Sequence, residues 1–180
     1  MLLRFTVVLM ALAATLVLGP ATQTSVPAQA QAQAQPLPEP TGRVILDVSG
    51  RIARTNAPGK ARFDLKGLES LGIAKLATST PWTEGKPEFE GVRLRDLLRA
   101  VGADGATVTP VALNDYKLDI PRDDFEKYPV ILAYRMNGEE LKVREKGPLW
   151  IVYPRDEFPE LDNRLIRSRW VWQVKEIVIK

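Results

Sequence analysis

The feature that most limits the fold of this chain is a five-residue apolar run boxed between prolines. Leu149-Trp150-Ile151-Val152-Tyr153 follows the turn-forming pair Gly147-Pro148 and is closed by Pro154. Such a run is too short for a helix of its own and reads as a strand buried on at least one face. Lys146 stands at its entrance, a cation beside backbone that glycine and proline hold in a fixed shape, so this strand end is a place to meet a ligand.

Similar punctuation recurs along the chain. Arg43 to Ile52 alternates, with Val44, Leu46 and Val48 sharing one face, and Ala57-Pro58-Gly59-Lys60 is a turn. Leu68 to Leu71 forms a short helical turn closed by Gly72; Ile73 to Thr78 is the next strand, with a loop over 79–85 behind it. The clearest helix carries Leu94, Leu97, Leu98 and Val101 at i, i+3, i+4 and i+7, with Gly102 at C′, and its stripe belongs to the core. Thr107 to Leu113 is β-rich and ends at the turn pair Asn114-Asp115. Tyr116 to Ile120 alternates, and Asp123-Asp124 start a short helix up to Tyr128. Val130 to Met136 is a strand, Asn137-Gly138 a two-residue hairpin turn, and Leu141 and Val143 lie on the return strand. A polar loop over 155–163 precedes a final strand or strand pair that carries Trp170, Trp172, Val174, Ile177 and Ile179. Many short strands with few short helices give an α+β or mainly β domain.

The first 30 residues carry one charge, Arg4, followed by an uncharged apolar run from Phe5 to Leu18 and small residues at Ala28-Gln29-Ala30. This is the pattern of a cleaved signal peptide over 1–30; the apolar run is shorter than the roughly 20 residues of a membrane span, an uncleaved anchor being the alternative. Residues 31–41 continue a Gln-Ala and Pro-rich composition that reads as a flexible linker, and the folded domain is expected over 42–180. Export places the protein in the periplasm, with no membrane insertion of the mature chain. With 25 basic and 22 acidic residues the charge is too balanced for nucleic acid. Cysteine and histidine are both absent. That removes disulfides, thiolate and imidazole metal ligands, lipobox acylation and the Ser-His and Cys-His nucleophile pairs. Acidic pairs at Asp123-Asp124 and Asp156-Glu157 lack ligand spacing and read as solvated loops.

Five motifs resemble the sulfite-oxidase-type molybdopterin-binding domain over nearly all of 42–180. They are Phe89-Glu90-Gly91-Val92-x-Leu94-x-Asp96-Leu97-Leu98; Ala112-Leu113-Asn114-Asp115-Tyr116 with Ile120-Pro121; Ile131-Leu132-Ala133-Tyr134-x-x-Asn137-Gly138; Lys146-Gly147-Pro148-Leu149-Trp150; and Ser168-Arg169-Trp170. The resemblance implies a compact α+β fold of mixed, short-stranded sheets with a few short helices and a pterin site at the strand ends. Catalytic members hold molybdenum through a cysteine thiolate on the loop after the strand that here ends near Thr78. This chain offers Thr78, Ser79 and Thr80 at that place and lacks the Gly-Asn-Arg that follows the cysteine. A neutral hydroxyl with no nearby base does not replace a soft anionic thiolate on a high-valent metal, so no metal is expected.

For the organic half, the resemblance gives a ligand set of Thr80, Trp82, Asn114, Asp115, Tyr116, Lys146, Gly147, Pro148, Arg167, Ser168 and Arg169, and no catalytic residue. A pterin is a flat bicycle with a guanine-like edge, which needs a stacking face and a few polar groups on that edge. Trp82 in its Pro-flanked loop stacks on the ring or caps the core. Asn114, Asp115 and Tyr116 read the amide edge or serve as plain turn residues. Lys146 with the Gly147 and Pro148 backbone faces the side-chain end of the ligand or is a solvated lysine beside a turn. Arg167, Ser168 and Arg169 grip the pterin and its phosphate or form an exposed charge run. Trp150 and Trp172 are expected in the core, and Tyr153 in either place. Small exported relatives of this kind look like non-catalytic pterin binders, some partnered with inner-membrane signalling proteins. The reading is thus a periplasmic protein that binds a pterin (a reduced pterin or molybdopterin) and signals to the periplasmic domain of a membrane partner. The alternative is a subunit of a molybdenum-cofactor-dependent oxidoreductase.

Overall fold

The computed structural model describes residues 36–180. The expected signal peptide and the first part of the expected linker therefore lie outside the described residues. The latter part of the linker is not a free spacer: Leu37 is buried, and the Thr41 and Gly42 N–H groups both donate to Asp64, so folded sequence begins before residue 42.

The described residues form two five-stranded sheets, four short α-helices and one 3₁₀ turn at Pro159–Leu161. In the first sheet, β1 (Leu46–Gly50), β2 (Lys60–Phe63), β5 (Thr107–Ala112), β6 (Ile120–Pro121) and β10 (Val174–Ile179) run in the order β2-β1-β10-β5-β6. Only β1 and β10 are parallel; the other pairs are antiparallel. The second sheet contains β3 (Ala74–Ala77), β4 (Glu88–Arg93), β7 (Ile131–Met136), β8 (Glu139–Glu140) and β9 (Trp150–Val152), all antiparallel, with β7 joined to β4, β8 and β9. The boxed run is thus a strand. Its Trp150, Ile151 and Val152 are all fully buried, so the strand is covered on both faces.

The helices are α1 (Leu65–Glu69), α2 (Leu94–Ala100), α3 (Asp123–Lys127) and α4 (Arg164–Ser168). In α2 the expected stripe Leu94, Leu97, Leu98 and Val101 is fully buried, and Gly102 takes the left-handed φ of +61° that a C′ glycine supplies. Asp64 caps α1 by accepting from Gly67 N, and Asn163 caps α4 by accepting from Ile166 N. Among the described residues no helix is long and apolar enough to cross a membrane.

Several local expectations need correction. β4 covers Glu88–Arg93, a strand where only a lead-in to α2 was expected. Tyr116 to Ile120 is mostly irregular, with strand pairing confined to β6 and a single bridge from Lys117 to Val111. The return arm of the Asn137-Gly138 hairpin is short: strand pairing ends at Glu140, Leu141 N still donates to Tyr134 O at 2.9 Å, and Val143 lies beyond the strand. Helix α4 stands where the sequence showed only a charged approach to the last strand.

Candidate functional site

All four tryptophans of the chain gather at one place. Trp82 lies at its centre, with ring centroids 6.3 Å from Trp150, 6.0 Å from Trp170 and 5.1 Å from Trp172, each pair tilted or edge-to-face. Trp150 packs deeper, edge-on to Phe89 at 5.3 Å, and Tyr153 stacks on Trp170 at 6.2 Å. Such arrangements are the favoured aromatic geometries and add to simple burial.

Beside this cluster is a cavity of about 290 Å³. Three segments wall it: Trp82 from the loop after β3; Ala112, Asn114 and Tyr116 from the end of β5 and its turn; and Arg167, Ser168, Trp170, Val171 and Trp172 from α4 and the chain that follows. Its volume is at the small end of ligand sites, which run from about 300 Å³ upward. A larger open groove of about 1180 Å³ lies elsewhere, between residues 41–45, 64–69 and 139–143. Its rim mixes Glu69, Glu139 and Glu140 with Arg43, Lys66 and Lys142, and Tyr134 is its one aromatic wall. A flat heterocycle needs stacking faces, so the candidate site is the smaller cavity.

Of the residues expected at the ligand, five border this cavity. Trp82 does, half-exposed, on a turn in which its own N–H donates to Thr80 Oγ1 at 3.0 Å. Asn114 Oδ1 accepts from Tyr116 N at 3.1 Å, an Asx turn that leaves the side-chain NH₂ free for an acceptor on a ligand edge. Tyr116 brings an exposed ring, with its hydroxyl 3.5 Å from Ser168 O. Ser168 Oγ donates to Leu165 O at 2.6 Å and keeps its lone pairs for accepting. Arg167 stands at the rim, half-exposed and 3.4 Å from Asp162.

The other six do not line it. Thr80 is buried, and its hydroxyl builds the Trp82 turn, pairing with Thr83 Oγ1 at 2.8 Å. Asp115, at φ 63°, sends its carboxylate to Lys175 at 2.7 Å, and that ion pair holds it below the usual carboxylate range. Gly147 packs so closely that a Cβ there would overlap the Leu141 carbonyl oxygen, and Pro148 faces the large groove. Lys146 lies over the rings of Trp150 and Trp172 at 5.4 and 5.5 Å from their centroids. Arg169 turns inward, where its guanidinium donates to Asp124, which also accepts from Tyr153 Oη at 2.9 Å. Burial, with the nearby Asp124 charge, pushes the Tyr153 hydroxyl well above its ordinary pKa, so it stays a donor. Asp124 is therefore part of a buried network and not a solvated loop residue.

Sequence reasoning missed Trp170 and Trp172 as walls, the latter having been expected in the core. Their spacing of two just after Arg-Ser-Arg was the available signal, since extended residues i and i+2 share a face. Ala112 and Val171 gave no signal that separates them from core residues.

The loop after β3 shows whether a molybdenum centre fits. Thr78 is fully buried; its hydroxyl donates to Ser79 O at 3.4 Å and accepts from Asp156 N at 3.3 Å. Ser79 donates twice to Asp156, from Oγ at 2.6 Å and from N at 3.0 Å, and Lys86 Nζ lies 3.4 Å from the same carboxylate. The Ser79 hydroxyl, aided by Lys86, holds Asp156 below the usual carboxylate range, so this acid too is a structural residue. Every hydroxyl of Thr78, Ser79 and Thr80 has an internal partner, and none of the three borders the cavity. Among the described residues no group of three Asp or Glu side chains is arranged to hold a metal ion, and the sequence has no Cys or His. This donor set does not fit a high-valent metal, whereas the aromatic cavity fits a flat organic ring.

Comparison with known proteins bears on the fold and the family. No curated protein sequence matches. Among solved structures, the sulfane dehydrogenase SoxCD from Paracoccus pantotrophus superposes with a TM-score of 0.54 at 17% identity. The alignment covers 74% of this chain and 37% of that one, so the chain spans little more than a third of the dehydrogenase chain's length. At that identity the likeness concerns the fold, and it agrees with the α+β architecture of short mixed sheets. The family model described as the oxidoreductase molybdopterin binding domain matches residues 64–158, from the cap of α1 to just past β9, which include Trp82, Asn114 and Tyr116. The chain belongs to the family of oxidoreductase molybdopterin binding domains.

Proposed function

We propose that this protein is an exported pterin binder that carries no molybdenum chemistry of its own and whose occupancy is read by the periplasmic domain of a membrane signalling protein. The observation that carries the reading is the pairing of an aromatic cavity with a neighbouring loop whose hydroxyls are all engaged internally. Trp82, Trp170, Trp172 and Tyr116 supply faces for a flat ring. Asn114 and Ser168 supply a donor and an acceptor for its amide edge, and Arg167 a half-screened charge at the mouth.

Export is supported by the charge-poor apolar leader of 1–30. The partner is supported by where apolar surface is exposed. Trp82, Leu113, Tyr116 and Leu165 are four of the six large hydrophobic side chains left exposed among the described residues, and all sit on or beside the three segments that wall the cavity. Exposed apolar groups gathered around a ligand mouth suit a protein that is read by contact.

Purification of the full chain from its exporting host tests the reading. Extraction should release a fluorescent pterin at close to one per chain, with molybdenum far below stoichiometry. Molybdenum at one per chain overturns it in favour of an oxidoreductase subunit.

A further inference from the structure

Lys146 stands outside the cavity but against one of its walls. Its ammonium lies over Trp172, 5.5 Å from the ring centroid; Trp172 lines the cavity and Lys146 does not. The backbone fixes the arrangement. Lys146 O accepts from Gln173 N at 3.0 Å, and Trp150 and Trp172 form an antiparallel bridge. Lys146 is half-buried and has no carboxylate within ion-pair distance among the described residues, so the two indoles are its charge's protein neighbours.

A cation over an aromatic ring is attracted by the negative π face and draws its density. Trp172 therefore offers the cavity a less negative surface than an ordinary indole, and a ring stacked there also feels the positive charge beyond it. An electron-rich ring gains from that surface and an electron-poor one loses. Pterins differ in this respect: the dihydro form carries two more electrons and two more protons than the oxidised ring and is the more electron-rich. Asn114 and Ser168, by contrast, are placed for an amide edge that both forms share.

We infer that Lys146 is a specificity-determining residue, acting through Trp172 to favour a reduced pterin over its oxidised form. The inference rests on the pterin-binding reading above. Calorimetric titration of the full chain with biopterin and with 7,8-dihydrobiopterin, anaerobically at pH 6.5 where both rings are uncharged, tests it. The wild type should bind the dihydro form more tightly. Lys146→Met should shrink the ratio of the two affinities by about 2- to 5-fold, the range of an exposed cation–π contact. Lys146→Arg, which also stacks on indole, should retain the ratio. Lys146→Gln replaces the methionine variant if the latter does not fold. Equal affinities in the wild type, or a neutral variant that weakens both ligands alike, overturn the role of Lys146 and leave the pterin site standing. Failure of both ligands to bind overturns the site and the inference together.

Discussion

Replacing Arg169 by methionine separates an internal brace from a ligand contact. The Arg169 and Asp124 side chains are only 11% and 14% exposed, and the Tyr153 hydroxyl completes the group. Methionine keeps the apolar stem and removes the charge, leaving Asp124 a nearly buried carboxylate with one hydrogen-bond donor. Breaking a buried pair from one side costs about 3–5 kcal/mol. The residual exposure and the Tyr153 hydroxyl put this case at the low end, about 3 kcal/mol. In a domain of this size each kcal/mol lowers Tm by about 2–4 °C, so the midpoint should fall by roughly 6–12 °C. Urea denaturation followed by tryptophan emission reads the same loss as a lower midpoint with an unchanged slope. Removing both charges in Arg169→Met with Asp124→Leu should recover most of it. Buried pairs are often replaceable by apolar groups, and Arg169 Nε here is buried with no partner, so the wild-type pair is incompletely satisfied. A single variant that loses less than about 1 kcal/mol, or a double variant as unstable as the two singles added, refutes the brace. A stable Arg169→Met that has lost pterin binding would instead return Arg169 to the ligand.

Three further outcomes follow from particular contacts. Asp64→Ala removes the α1 cap and the acceptor for Thr41 and Gly42, and should cost about 2–3 kcal/mol in denaturant titrations, more than a simple cap. The Gly67 N–H first, then those of Gly42 and Thr41, hold the Asp64 carboxyl below its usual range. Its contribution is therefore complete above about pH 4 and lost as pH falls through the lowered folded value, a slope that Asp64→Asn should lack. Gly91→Ala places a Cβ against the Leu132 carbonyl at the bulge between β4 and β7, and should cost about 1–3 kcal/mol by thermal denaturation; no loss would contradict the packing there. Trp82→Ala should weaken pterin binding by about 1–3 kcal/mol, as for other stacked heterocycles, with calorimetry as the readout; unchanged affinity would remove Trp82 from the site.

Legibility in the sequence followed the length and regularity of each element. The α2 stripe, the Asn137-Gly138 turn and the proline-boxed β9 each carry a complete local signal, and each stands where the sequence put it. β4 was hidden because its alternation breaks at the register shift between Glu90 and Gly91, where glycine lets the backbones of β4 and β7 approach. α4 has five residues and one buried side chain, Ile166, too few for a helical period to show. At the site, residue type pointed to the right segments but not to the direction of each side chain. Arg167 and Arg169 read alike in sequence. Only the position of Asp124, 45 residues away, draws one inward and leaves the other at the rim. Asp115 and Lys146 were likewise diverted by partners distant in sequence, Lys175 and Trp172, that no local pattern announces.

Tryptophan emission titrated with a pterin tests the central claim most directly, because all four indoles of the chain lie in one cluster beside the cavity. Saturable quenching at one site per chain, in metal-free protein and strongly weakened by Trp82→Ala, is the expected result. Emission that does not saturate, or binding that appears only once molybdenum is supplied, would contradict the account.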